Sequence, residues 1–418
     1  MPRSIAADAV PDLLRPGLRV YAPGLAGESP LFARALTARA EKAAGVHFTG
    51  VWLPGFNRAD YASLHETARA TAFFVGAHNR ASFADGRVDF LPLSYFSIAA
   101  YMRDAMEVDL ALLHTSPPDD AGRLSLGIAN DFTPEVLNRP CVKVAHINPL
   151  MPRTVGAATV ALGDVDYVVE EPCPLPGEDN GAIDPVFAAI GRHVAGLVRD
   201  GDTVEVGIGR VQGVLAALHA KRHLALHAGA VTDPLLGLVN AGALRAGAGA
   251  VTAGIAWGSP ALYDFVTDNP TVRFAPVSHT HNVRVIGALP RFVAINTVIE
   301  VDLLGQANAE MVGGRQISSA GGLTDFMRGA RVSPGGFSVI ALEAAAKGGT
   351  VSRIVPALTE GTAVSAARGD VDYVVTEHGV ADLRHASVGR RAEALIAVAA
   401  PPFRDDLTRA WQDRRRRM

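Results

Sequence analysis

Short runs rich in β-branched and aliphatic residues recur along the chain, separated by stretches whose apolar side chains return every three or four positions. The runs at 108–114, 141–147, 167–169 and 203–206 are bounded by polar or glycine-containing turns, the pattern of strands covered on both faces. Between them, 183–199 and 211–218 carry apolar residues at helical spacing. The second half repeats the alternation, with strands predicted at 293–298, 337–342 and 371–376 and a helix at 391–399. Strand, helix and strand in repetition predict an open, mostly parallel sheet with helices on both sides. Such sheets hold ligands where loops leave the carboxyl ends of the strands.

An internal repeat divides the chain. Residues 163–169 and 369–375 both read Gly-Asp-Val-Asp-Tyr-Val-Val, each followed closely by an acid, Glu171 and Glu377. A softer echo links Glu107-Val-Asp-Leu110 to Glu300-Val-Asp-Leu303. A period of half the chain is too long for a solenoid, so the expectation is an α/β protein of two tandem related domains, 1–180 and 181–418. The segment 172–185, rich in Pro, Gly and acids, is the expected hinge.

Composition narrows the function classes. With 418 residues, 49% of them hydrophobic and 19% charged, the chain has ample material for two cores, which excludes wholesale disorder. A net charge of −3 with no basic stripe argues against nucleic acid as the main partner, and the four arginines at 414–417 read as a solvated end. Cys141 and Cys173 are too few for a disulfide framework or a cysteine zinc site, so the chain reads as a protein of the reducing cytosol. The N-terminal residues lack the continuous apolar stretch of a signal peptide, and no run of apolar residues is long enough to span a membrane.

Three segments could carry chemistry. Thr203-Val-Glu-Val-Gly207-Ile-Gly209 runs from a strand into glycines and then into a helix, an arrangement that lets backbone N–H groups meet an anion. It is either a tight turn or a cradle for CoA or an acyl group. A nicotinamide site fits poorly, because the spacing Gly207-x-Gly209-x-x-x-Gly213 is one residue too long and no acid ends a strand about 20 residues on. The second segment, Ile317 to Phe326, holds Gly321-Gly322, with Gly313-Gly314 upstream, and could cradle an oxyanion. No G-x-S-x-G elbow is present. The third is Ser278-His-Thr-His-Asn282. Read as a strand it would point His279 and His281 to one side, but no third zinc ligand lies at a known spacing, so a role in loop packing or in lining a site is expected instead of metal binding.

These segments in this order resemble the acetyl-CoA hydrolase/transferase family, the single-chain CoA-transferases. The resemblance rests on Ser116-Pro-Pro-Asp-Asp-Ala-Gly-Arg-Leu-Ser-Leu-Gly127, on Gly207-Ile-Gly209, and on Glu300-Val-Asp-Leu-Leu-Gly-Gln-Ala-Asn-Ala-Glu310. Gly321-Gly-Leu-Thr-Asp-Phe326 and Val374-Val-Thr-Glu-His-Gly-Val-Ala-Asp-Leu-Arg384 complete it. It implies two tandem α/β halves, a homodimer, a CoA thioester as substrate, and no bound metal or redox cofactor. In that family a glutamate attacks the acyl-CoA, giving a mixed anhydride and then a glutamyl-CoA thioester, so the thioester's activation is retained throughout.

The segment matching the family's catalytic one is Leu226-His-Ala-Gly-Ala-Val-Thr-Asp-Pro-Leu-Leu-Gly-Leu-Val-Asn-Ala-Gly242, in which the glutamate position is Gly229. Gln212 replaces a usual proline, and His385 replaces a usual glycine. Three readings follow. The chain transfers CoA or hydrolyses acyl-CoA with Asp233, His227 or water in the glutamate's part. It does ring or C–C bond chemistry on an acyl thioester through a retained oxyanion hole, or it is a non-catalytic CoA-ester-binding subunit. The expected site residues are backbone donors at Gly207, Gly209, Gly321 and Gly322. His281 and Asn282 are expected beside the catalytic position, with His227 and Asp233 flanking it and a histidine as the natural general base. On this reading Asn282→Ala and His281→Ala lower turnover more than thermal stability.

Overall fold

The computed structural model describes residues 1–177, 184–207 and 212–418. The expected site residue Gly209, the first residues of the helices predicted at 183–199 and 211–218, and the middle of the expected hinge lie outside the described residues.

Sixteen strands build two sheets of eight. The first contains β1 (Arg3–Ser4), β2 (Arg19–Tyr21), β3 (His47–Gly50), β4 (Arg69–Ala72), β5 (Val88–Phe90), β6 (Leu110–Thr115), β7 (Val142–Ile147) and β8 (Tyr167–Glu170). The second contains β9 (Thr203–Val206), β10 (Ala225–Val231), β11 (Val251–Ala256), β12 (Val272–Phe274), β13 (Phe292–Asn296), β14 (Phe337–Ala341), β15 (Tyr373–Thr376) and β16 (Gly379–Asp382). Every residue of β6, β9 and β13 is buried, as expected for parallel strands sandwiched between helices.

The orders are β1-β8-β7-β6-β2-β3-β4-β5 and, from the opposite edge, β16-β15-β14-β13-β9-β10-β11-β12. Position by position the two sheets share one topology. The repeated heptapeptide leads into β8 and β15, which occupy the same place, so that repeat is structural. The softer echo is not. Glu107–Leu110 enters β6, whose counterpart is β13, whereas Glu300–Asp302 forms a strand of a separate three-stranded sheet. The sheets differ at one edge, where β1 pairs parallel to β8 but β16 pairs antiparallel to β15.

Helix α1 (Pro185–Leu197) starts where the Asp184 carboxylate accepts from Val186 N and proline fills the first turn. It buries Phe187, Ile190, Gly191 and Val194, one face at helical spacing. A Cβ on Gly191 would lie 2.6 Å from the Gly213 carbonyl in α2 (Gln212–Ala217), so the two helices touch through bare backbone. The predicted strand at 371–376 begins at Tyr373, because the Asp372 carboxylate turns aside to accept from Ser338 N at 3.0 Å. The helix expected at 391–399 runs Val388–Val398, capped by Ser387.

The strand reading of 278–282 is corrected. Val277–Thr280 is a helical turn in which His279 N and Thr280 N both donate to the Pro276 carbonyl. His279 and His281 therefore do not share a strand face. Among the described residues, no group of three or more His, Cys, Asp or Glu side chains could hold a metal ion. None of their helices is long and apolar enough to cross a membrane.

Contacts group the chain into two units. One comprises Met1–Asn180, Gly229–Asp233 and Gly247–Thr280; the other comprises Gly181–Ala228, Pro234–Ala246 and His281–Met418. The chain passes from one to the other inside β10, between Ala228 and Gly229.

Candidate active site

The second sheet reverses direction between β9 and β13. From β9 it is built outward through β10, β11 and β12, then resumes on the other side with β13, β14 and β15. Such a switch point opens a crevice at the carboxyl ends of its two strands. Glu205 and Asn296 flank it. In β9 and β13, Glu205 lies opposite Ala294, and Asn296 lies two residues further on the same face. Asn296 Nδ2 donates to Glu205 Oε2 at 2.7 Å. Glu205 is 1% exposed, and burial pushes its carboxyl up to about 8.

Gly207 ends β9. Its N–H donates to the Ile295 carbonyl at 3.0 Å, and a Cβ on it would stand 3.0 Å from Asn296 Oδ1. The glycine thus leaves the amide oxygen room beside the loop.

His227 belongs to the same face. Pairing of β9 with β10 sets Val204 against Leu226, so Glu205 and His227 come next in register. The buried His227 ring lies 6.0 Å from Phe292, edge-on. Phe292 in turn stacks on Phe326 of helix α4 (Leu323–Val332), which follows α3 (Val283–Ala288). His281 packs 4.4 Å from the same Phe326. Burial first, and nearby His227 second, depress the His281 pKa to about 3. Its ring is neutral at physiological pH, a hydrogen-bonding group and a weak proton acceptor.

Gly321 and Gly322 stand at the start of α4, with Gly321 at φ +57°. A Cβ on Gly322 would fall 2.4 Å from His281 Nε2. The glycine admits the histidine ring, so Gly322→Ala is expected to destabilise by about 1–3 kcal/mol through overpacking. A lowered Tm with altered His281 ring resonances would show it; an unchanged Tm would contradict the packing.

Asn282 stands at the N-terminus of α3. Its side chain caps α3, Oδ1 accepting from Arg284 N at 2.9 Å. Asn282→Ala should therefore cost about 1 kcal/mol of stability, read as a fall in Tm larger than any loss of turnover.

In the other unit, Gly229 is half-buried, and its carbonyl lies 2.8 Å from where a Cβ on Gly254 would stand. Asp233 accepts from Ser259 N at 3.0 and 3.1 Å and from Ser259 Oγ at 2.6 Å. It thereby ties the end of β10 to the start of the helix Pro260–Val266. Asp131, buried in this unit, has a carboxyl pushed up to about 7 by burial.

The structure brings His227, His281, Gly321 and Gly322 onto one face and places Asn282 and Asp233 in anchoring bonds. Sequence reasoning missed Glu205, Asn296 and Asp131. The available signal for Glu205 was an acid inside a short apolar strand running into glycines, where a buried charge is costly unless it does something.

The family model of the acetyl-CoA hydrolase/transferase N-terminal domain matches residues 4–176, and that of its C-terminal domain matches residues 258–411. A 4-hydroxybutyrate coenzyme A transferase of Clostridium kluyveri is 38% identical over 83% of this chain and 82% of its own. A succinyl-CoA:cyclohexane-1-carboxylate CoA transferase of Geobacter metallireducens is 36% identical over 92% of this chain and 89% of its own. The crystal structure of RipA from Yersinia pestis superposes with a TM-score of 0.90 at 28% identity, covering 99% of this chain and 98% of that one. A 4-hydroxybutyrate CoA-transferase from Porphyromonas gingivalis gives a TM-score of 0.80 at 32% identity, covering 100% and 98%. The chain belongs to the acetyl-CoA hydrolase/transferase family and is an enzyme of that family.

Proposed function

We propose that the protein processes an acyl-CoA thioester, by CoA transfer to a carboxylic acid or by hydrolysis, without a glutamyl-CoA intermediate. The observation that carries this reading is Gly229, which stands where the resemblance places the nucleophilic glutamate. A glycine offers no carboxylate to form an anhydride. The oxygen that attacks the thioester carbonyl then belongs to water or to the acceptor acid itself, and CoA leaves as its thiolate. With water the acid is released; with an acceptor the thiolate attacks the acceptor's carbonyl in the mixed anhydride, forming the new thioester as the donor acid departs. His227, two residues before Gly229 on the same strand face, orients that oxygen. Asp233 acts as an anchor, because its carboxylate is engaged by Ser259.

Backbone N–H groups at Gly209, Gly321 and Gly322 take the developing charge on the thioester oxygen, while Gly207, its N–H held by the Ile295 carbonyl, serves by leaving room beside Asn296. Gly321 and Gly322 sit at a helix start, where the macrodipole favours an anion. The names of the Clostridium and Geobacter relatives support a small carboxylic acid as the acyl group. The resemblance extends the reading to a cytosolic homodimer, which size-exclusion chromatography with light scattering would report as twice the chain mass.

Incubating the pure protein with several acyl-CoAs, with and without acetate, while following free thiol and each CoA ester by mass, tests the proposal. Acetyl-CoA appearing only with acetate marks transfer; free CoA without an acceptor marks hydrolysis. Thioesters left untouched, or altered in the acyl chain with CoA still attached, would sink it.

A further inference from the structure

We propose that Glu205 is a positioning residue: it decides which end of the Asn296 amide faces Gly207, and so whether that point of the site offers a hydrogen-bond donor or an acceptor. The inference rests on the reading of the site as one for a CoA thioester.

The placement is specific. Glu205 and Asn296 lie on the two strands that flank the switch point of the second sheet, on one face. Their side chains are 1% and 8% exposed and are joined at 2.7 Å. The far end of the Asn296 amide lies 3.0 Å from the Cβ that Gly207 lacks. An amide has donors at one end and an acceptor at the other, so whatever the carboxyl takes fixes which end faces Gly207.

A carboxylate can only accept. It holds Nδ2 and leaves Oδ1 toward Gly207; the bond in this structure has that sense, which a neutral carboxyl accepting through its carbonyl oxygen also permits. A neutral carboxyl can donate its O–H to Oδ1, and the amide then turns Nδ2 toward Gly207. Charge growing on a thioester oxygen is stabilised by an N–H and repelled by an amide oxygen. The neutral pair is therefore the catalytically competent one. Burial favours it, holding the carboxyl near 8 against the smaller opposing pull of Asn296 and the Ile295 backbone.

Among the described residues, few titratable groups face this pair. Strand β10 brings His227, one register step away, with His281 near it. Strand β13 brings none between Phe292 and Asn296, and α2 brings none between Gln212 and Ala217. On α3 and α4, which pack on that side of the sheet, stand Arg284, Asp325, Arg328 and Arg331; Arg328 pairs with Asp370 and Arg331 with Asp372.

The test is the pH dependence of kcat and KM for an acyl-CoA in the wild-type enzyme, Glu205→Gln and Glu205→Leu. In the wild type, kcat falls about tenfold between pH 7 and pH 9, as one proton leaves a group titrating near 8, while KM moves little. In Glu205→Gln nothing in the pair titrates, and the ratio of kcat at the two pH values approaches one. Glu205→Leu leaves Asn296 unheld, and kcat is low throughout, although its thermal unfolding stays cooperative. An alkaline fall that persists unchanged in Glu205→Gln overturns the proposal. Infrared difference spectra decide it independently of turnover: a protonated-carboxyl band at pH 7 that fades by pH 9 and is missing in Glu205→Gln supports it, and the absence of that band at pH 7 overturns it. If no acyl-CoA is turned over at any pH, the thioester reading fails while the infrared band still decides the state of Glu205.

Discussion

Replacing Gly229 by glutamate is expected to create acetate-dependent CoA transfer on the order of a hundredfold or more above the wild-type rate. On the proposed reading the family's catalytic segment aligns around Gly229, which is only half-buried in an otherwise mostly covered strand. A carboxylate there attacks the acyl carbonyl, CoA leaves as thiolate, and the thiolate returns to the glutamyl carbonyl while the acid departs. The product of that exchange is a glutamyl-CoA thioester, visible as a protein mass increase of one CoA less water. Gly229→Gln, of the same size but without a nucleophile, should gain neither transfer nor adduct. A Gly229→Glu protein that folds, turns over acyl-CoA at the wild-type rate and carries no adduct would show that position 229 is not where the nucleophile is missing.

The second large effect concerns stability. The Glu205 carboxyl is raised from 4.5 to about 8 by burial. The folded state therefore holds a proton that the unfolded state has already lost across that window, and stability falls as pH rises from about 4.5 to about 8. Each pH unit within it costs about 1.4 kcal/mol, so the whole window is worth about 5 kcal/mol at most. Above about 8 the loss levels off. Glu205→Gln removes the titration, so its stability should decline less than that of the wild type between pH 5 and 8. Urea unfolding at pH 5, 6.5 and 8 measures the difference; parallel curves for the two proteins would contradict a carboxyl buried as a neutral acid.

Fold class and duplication were legible because they are written in period and repetition. Mostly apolar runs such as Leu110–Thr115 and Phe292–Asn296 have no competing reading once helices separate them. The heptapeptide repeat marks two equivalent strands. The Glu107 and Glu300 echo misled because four residues of common type are no measure of place in a sheet. The histidine-rich segment at 278–282 misled in another way. Alternating polar residues suggest a strand, but Pro276 opens a helical turn and Asn282 opens the next helix. Local capping chemistry overrode the alternation.

At the site, glycines were legible and carboxyls were not. Gly322 signals a close approach whatever approaches it, here His281. Glu205 and Asn296 are far apart in sequence, and only the pairing of β9 with β13 makes them neighbours. The acid's significance lies in burial and in its bond to the Asn296 amide, neither of which a motif records.

The central claim is that this enzyme acts on a CoA thioester without a covalent glutamyl-CoA stage. Intact-protein mass spectrometry of the wild-type enzyme, quenched during turnover of an acyl-CoA and checked by peptide mapping, addresses it most directly. The account predicts consumption of the thioester with an unmodified protein mass at every time point. A CoA adduct mapped to a glutamate of the wild-type chain during turnover would contradict it.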